Sequence, residues 1–122
     1  MSQNPKWKVL YYVSPSGDIP VKQFLDDTKP QVKAKAFRIF LNISVYGITT
    51  AIPHIKKLVG TPLWEIRILG EDSVRILYVT KTHQALILLH AFYKKKQMIP
   101  KKEINTVLSR LKEYENQHTK NT

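Results

Sequence analysis

The apolar positions of the chain change period several times, and each change marks an expected element. Residues 6–13 are dense in β-branched and aromatic side chains (Trp7, Val9, Tyr11, Tyr12, Val13), which predicts a first strand. Ser14-Pro15-Ser16-Gly17-Asp18 ends it with turn residues. Pro20 suits the first position of a short helix in which Val21, Phe24 and Leu25 fall at i, i+3 and i+4. A second helix is expected from Pro30, with Phe37, Phe40, Leu41 and Ser44 along one stripe and Lys33, Lys35 and Arg38 on the other face. Gly47 is its expected stop.

Residues 49–62 carry three breakers, Pro53, Gly60 and Pro62, and predict irregular chain. Three strands are then expected at residues 63–69, 74–80 and 85–93, and the short spacers between them favour an antiparallel meander. The last strand is almost wholly apolar, as a strand covered on both faces should be. Pro100 opens a final helix whose stripe is Ile104, Val107, Leu108, Leu111 and Tyr114. The order β-α-α-β-β-β-α predicts an α+β domain: a small twisted antiparallel sheet with two N-terminal helices packed on one face, and a C-terminal helix. The opposite sheet face is expected to be partly open and basic. Residues 1–114 form the expected domain and 115–122 a flexible tail.

Charge narrows the function. Of 122 residues, 20 are Lys or Arg and 9 are Asp or Glu, a formal net charge of +11. Such an excess opposes compaction but attracts phosphate polymers. Cysteine is absent, which excludes a disulfide scaffold and thiolate-held zinc and suits the cytosol. Met1–Lys6 has no apolar signal-peptide run, and the longest apolar stretch, 85–89, is too short to span a bilayer. No long helix pairs a basic face with a wide aromatic one, so nucleic acid is a better reading of the charge than a membrane.

Strand alternation then picks out side chains. Trp64, Ile66 and Ile68 should face the helices, leaving Glu65 and Arg67 on the open face. Arg75 joins them only if the hairpin connection has an odd number of residues, which is the expectation here. Past Tyr93, Lys94 or Lys95, but not both, should reach that surface, in a run that continues to Lys96. His90 lies in an apolar run and reads as a core histidine, while His83 and His118 read as incidental. His54, beside Lys56 and Lys57, is the one histidine in a basic, irregular setting. The histidines are too scattered for a metal site, and none of the four glycines forms a phosphate-cradling loop, so no metal and no cofactor is expected.

The ordered set Leu63-Trp64-Glu65-Ile66-Arg67, Val74-Arg75-Ile76-Leu77-Tyr78, His90-Ala91-Phe92-Tyr93-Lys94-Lys95-Lys96-Gln97 and Pro100-Lys101-Lys102-Glu103-Ile104 resembles the HigB branch of the RelE/ParE toxin superfamily, and the phage-derived proteins grouped with it. The resemblance covers most of the chain. It implies the same α+β fold and metal-independent cleavage of messenger RNA on the ribosome, by attack of the 2′-hydroxyl on the adjacent phosphate. It also implies a helix-turn-helix antitoxin as partner. In this reading Arg67 and Arg75 hold the phosphate, Lys94 and Lys95 act as acid or clamp, and Lys57 with His54 acts as base or positioning group. Tyr93 stacks on a base, and Lys56, Glu65 and Lys96 contact the RNA. The sequence departs from the RelE pattern at the extreme C-terminus, where no functional aromatic or histidine has a clear counterpart. The general base therefore stays open.

Two other classes fit the same charge. One is a non-catalytic module that binds nucleic acid or a partner. The other is a ParE-like gyrase poison, a type that shares the fold without the basic cluster.

Overall fold

The computed structural model describes residues 7–70, 73–82, 84–95 and 98–119. Its elements are β1 (Lys8–Tyr11), α1 (Pro20–Asp27), α2 (Pro30–Tyr46), a 3₁₀ helix (Ile48–His54), β2 (Ile55–Lys57), β3 (Trp64–Ile68), β4 (Val74–Lys81), β5 (Ala85–Tyr93) and α3 (Lys101–Thr119). The five strands form one sheet in the order β1-β5-β4-β3-β2. The architecture is α+β, as expected, but the sheet is mixed: β1 runs parallel to β5, with Lys8 opposite Ala85 and Tyr11 opposite Leu88. The expected irregular segment holds the 3₁₀ turn and β2, which pairs Ile55 with Ile66 and Lys57 with Trp64.

The helices start where proline pre-sets the backbone, since Pro20 and Pro30 occupy first-turn positions. α2 ends at Gly47, whose φ of +98° suits a residue without Cβ and whose N–H bonds the Ile43 carbonyl. The buried stripe of α2 is Val32, Ala36, Ile39, Phe40 and Ile43. Phe37 and Leu41, expected inside, stay exposed. α2 is apolar on two adjoining faces, and the sheet covers only one of them.

The core has two halves, one on each side of the sheet. Val21, Leu25, Ala36 and Ile43 of α1 and α2 pack on Ile66, Ile68, Ile76, Tyr78, Leu86 and Leu88. On the other side Val107 and Leu111 of α3 cover Leu77, Val79, Ile87 and Leu89. The face expected to be open is therefore roofed by α3 above β5, and only its β2–β3 end is left as a groove. β5 is sandwiched, which accounts for its unbroken apolar run. A bulge at Leu77/Tyr78 changes the partner from Leu88 to His90, which leaves Leu89 as the extra residue.

α3 continues to Thr119, past the 114/115 boundary expected for the tail. Lys81 and Glu115 pair at 2.7 Å, and the His118 ring stacks on Tyr114 with centroids 4.0 Å apart. These contacts hold polar residues in helix without any apolar spacing. Among the described residues no helix is long and apolar enough to cross a membrane.

Candidate nucleic-acid site

Register decides the position of the two strand arginines. Ile68 pairs with Val74, so five residues connect the strands and Arg67 stands directly opposite Arg75. Both belong to the α3-side face, in a row continued by Phe92 on β5. The next row is Lys56, Glu65, Leu77 and His90.

The two arginines nevertheless differ in exposure. Arg75 is only 8% exposed and Glu65 only 2%. Arg75 Nε lies 3.5 Å from Glu65 Oε2, and its Nη1 donates to the Val74 carbonyl at 3.2 Å. Burial pulls the Arg75 guanidinium below its usual value; Glu65 opposes that shift and Arg67 adds to it. A guanidinium remains charged even so. Glu65 is buried at the bottom of this face, beside Arg75 as its counter-charge.

Arg67 is half-buried and has no ion pair among the described residues. The β2–β3 ladder stops at Ile55–Ile66, so the β3 edge is bare beside Arg67. There the side chain borders a cleft of about 300 Å³ with Lys35, Arg38, Asn42, Thr50 and His54, over a floor that includes Ile39, Ala51 and Ile68. Among the described residues no carboxylate lines this cleft. Lys35 Nζ donates to the Leu69 carbonyl at 2.8 Å, which holds α2 against the end of β3. Arg38 and His54 are exposed.

A groove of about 320 Å³ lies on the other side of the β2–β3 ribbon. Its walls are Leu58, Val59, Thr61, Met98, Ile99 and Ile104, and Lys56, Lys94 and Glu65 also line it. The Lys94 N–H bonds the Ser73 carbonyl at 2.8 Å, which extends the β4–β5 ladder and directs this lysine into the groove. Lys95 is exposed and borders neither cavity. Cleft and groove meet at the ribbon, where His54 and Lys56, like Arg67 and Glu65, are two residues apart. That separation is about 6–7 Å along a strand.

Other expected site residues lie elsewhere. Lys57 pairs with Trp64, so it sits on the opposite face from Lys56; its Nζ donates to the Thr61 carbonyl and lies 5.8 Å from the Trp64 ring centre. Tyr93 also turns away from the arginines. Its hydroxyl bonds Thr28 Oγ1 at 2.7 Å, and its ring is 4.9 Å from that of Phe24 on α1. Lys96 lies outside the described residues.

His90 is half-buried with both ring nitrogens hydrogen-bonded, the satisfied histidine that its apolar setting predicts. Arg110 Nη1 donates to Nδ1 at 2.9 Å, so Nε2 carries the proton and donates to Glu103 at 2.6 Å. Burial lowers its pKa from 6.5, against the opposing hydrogen bond to Glu103. The trio links α3 to β5.

Lys35 and Arg38 are the cleft residues that the sequence reading placed only on a solvated helix face. One pattern points to them. Lys35, Arg38 and Asn42 recur at i, i+3 and i+7, a polar stripe on a helix that has no acidic residue.

A family model described as phage-derived protein Gp49-like matches residues 23–112. That span runs from α1 to α3 and includes every residue of the cleft and the groove. No curated protein matches the chain.

Proposed function

The chain belongs to the Gp49-like family of phage-derived proteins, a RelE/HigB-type toxin family, and on that premise we propose that it is a HigB-like, ribosome-dependent messenger-RNA endoribonuclease. Family membership implies an antitoxin partner; we take it to be a helix-turn-helix protein that meets the basic surface through acidic segments.

One observation carries the proposal. Arg67, Arg38 and Lys35 converge with His54 on a cleft that no carboxylate lines among the described residues, in a protein of net charge +11. Cations gathered on one edge favour a phosphate backbone. The reaction needs little more. The 2′-oxygen bonds to phosphorus, the bond from phosphorus to the 5′-oxygen breaks, and a 2′,3′-cyclic phosphate results. His54 takes the 2′-proton and an ammonium group, Lys56 or Lys94, returns one to the leaving oxygen. Arg67, Arg38 and Lys35 stabilise the charge that gathers on the phosphate oxygens. Arg75, buried behind Arg67 and paired with Glu65, supports the sheet face without touching RNA. Lys57, Lys95 and Lys96 add to the field that attracts the strand, and Tyr93 braces β5 against α1.

Expression in a bacterial host with mapping of transcript 5′ ends tests this reading. The expected result is growth arrest with cuts phased to codons on translated messages. Arrest without such cuts overturns it, and DNA damage signalling with intact messages would point to gyrase.

A further inference from the structure

We propose that the groove between β2 and the start of α3 is a pocket for one unpaired guanine, whose base edge is read by Glu65. This deepens the RNA reading above and rests on it. The walls supply the first argument. Leu58 and Val59 face Ile99 and Ile104 across the groove, an apolar slot suited to the flat faces of a base.

The floor supplies the second. Glu65 lines the groove at 2% exposure, and its Oε2 makes no hydrogen bond; Arg75 Nε, 3.5 Å away, makes none either. Buried polar atoms are nearly always satisfied, so an acceptor at the bottom of a groove that has the ion pair with Arg75 but no hydrogen bond fits a ligand that donates. A carboxylate accepts only. Guanine presents two adjacent donors, N1–H and the 2-amino group. Cytosine and adenine each place an amino group beside a ring-nitrogen lone pair, and uracil flanks its single N–H with two carbonyls. The carboxylate repels those lone pairs, so guanine fits best.

The rim supplies the third. Lys56 and Lys94 border the slot, and neither has an ion pair among the described residues, so both are available to the phosphates of the bound nucleotide. Since the groove adjoins the cleft across the β2–β3 ribbon, a strand with its scissile phosphate at Arg67 would place a neighbouring base here.

The test is an amide NMR titration of the full chain with guanosine, inosine and uridine 5′-monophosphates. Inosine differs from guanosine only in lacking the 2-amino group. The guanosine nucleotide should shift the amides of residues 56–61 and 98–104, and bind about tenfold more tightly than the other two. Glu65→Gln should erase that preference. The double variant Lys56→Ala, Lys94→Ala should weaken all three nucleotides and keep their ratio. Equal affinity for the guanosine and inosine nucleotides, or shifts confined to the Arg38–His54 cleft, would overturn the assignment. The native comparison decides even if Glu65→Gln fails to fold. No cleavage is needed, so the outcomes separate: guanine-selective binding without ribosomal cutting sinks the nuclease reading alone, and cutting without guanine selectivity sinks the pocket alone.

Discussion

Arg67 and Arg75 face each other directly across the β3–β4 hairpin, yet among the described residues only Arg75 has a carboxylate beside it. Two guanidiniums in register repel. Glu65, buried against Arg75, neutralises one of them and leaves the charge of Arg67 for the cleft. The same residue type therefore has two roles on one sheet face, and substitution should separate them.

Arg67→Ala should abolish codon-phased cleavage and growth arrest while leaving the thermal midpoint within a few degrees of the native value. The side chain is half-buried and has no ion pair to lose among the described residues. A variant that unfolds would instead make Arg67 part of the scaffold.

Arg75→Ala should act through stability. It strands the Glu65 carboxylate in the interior, a change that costs about 3–5 kcal/mol when a buried pair loses one member. Urea titration should show that loss, and Glu65→Ala added to it should cost much less than the sum of the single effects.

Acid should weaken the fold through His90. His90 has a lowered pKa, so the unfolded chain takes up its proton more readily than the folded one. Its contribution is fully present above the unfolded value of 6.5 and is lost as pH falls below it. Asp26, held near 2 by Lys22 and then Lys33, adds its own loss only below its ordinary value of 3.8. Urea midpoints should thus fall between about pH 7 and 5, and His90→Gln should flatten that slope. An unchanged slope in the variant would exclude His90 as its source.

Tyr93→Phe should leave cleavage intact and lower stability by less than about 1 kcal/mol, since it removes one exposed hydroxyl bond to Thr28. A large loss of activity without a loss of stability would return Tyr93 to the RNA surface.

Gly47→Ala should destabilise by about 1–3 kcal/mol, because φ of +98° with ψ of 168° is a conformation almost confined to glycine. The added Cβ would also meet Trp7 Nε1 at 3.4 Å. A thermal melt checks it.

Much of this was legible in the sequence where one pattern had one explanation. The strands at 64–68, 74–81 and 85–93 stand within a residue of their expected bounds, and the odd hairpin connection followed from keeping both arginines on one face. The rest depends on partners that periodicity does not name. β2 is three residues long and pairs only because β3 lies beside it. The choice of Val32, Ala36 and Ile43 over Phe37 and Leu41 was made by the sheet, not by the helix. The burial of Glu65 and the α3 roof over β5 likewise appear only once both faces are assembled. For the site, Arg67 and His54 do share a cleft, and Lys94, not Lys95, lines the groove. Lys57 and Tyr93 could not be assigned to a face without the register.

The parallel pairing of β1 with β5 has a temporal consequence. Lys8 leaves the ribosome early, but its partner Ala85 belongs to the last strand made, so the first strand waits for nearly all the others before it can dock. Until then the two-sided core is open and α3 has no seat. Closure of the sheet at β1 is therefore a late, long-range event of folding, whatever the order in which the inner hairpins form.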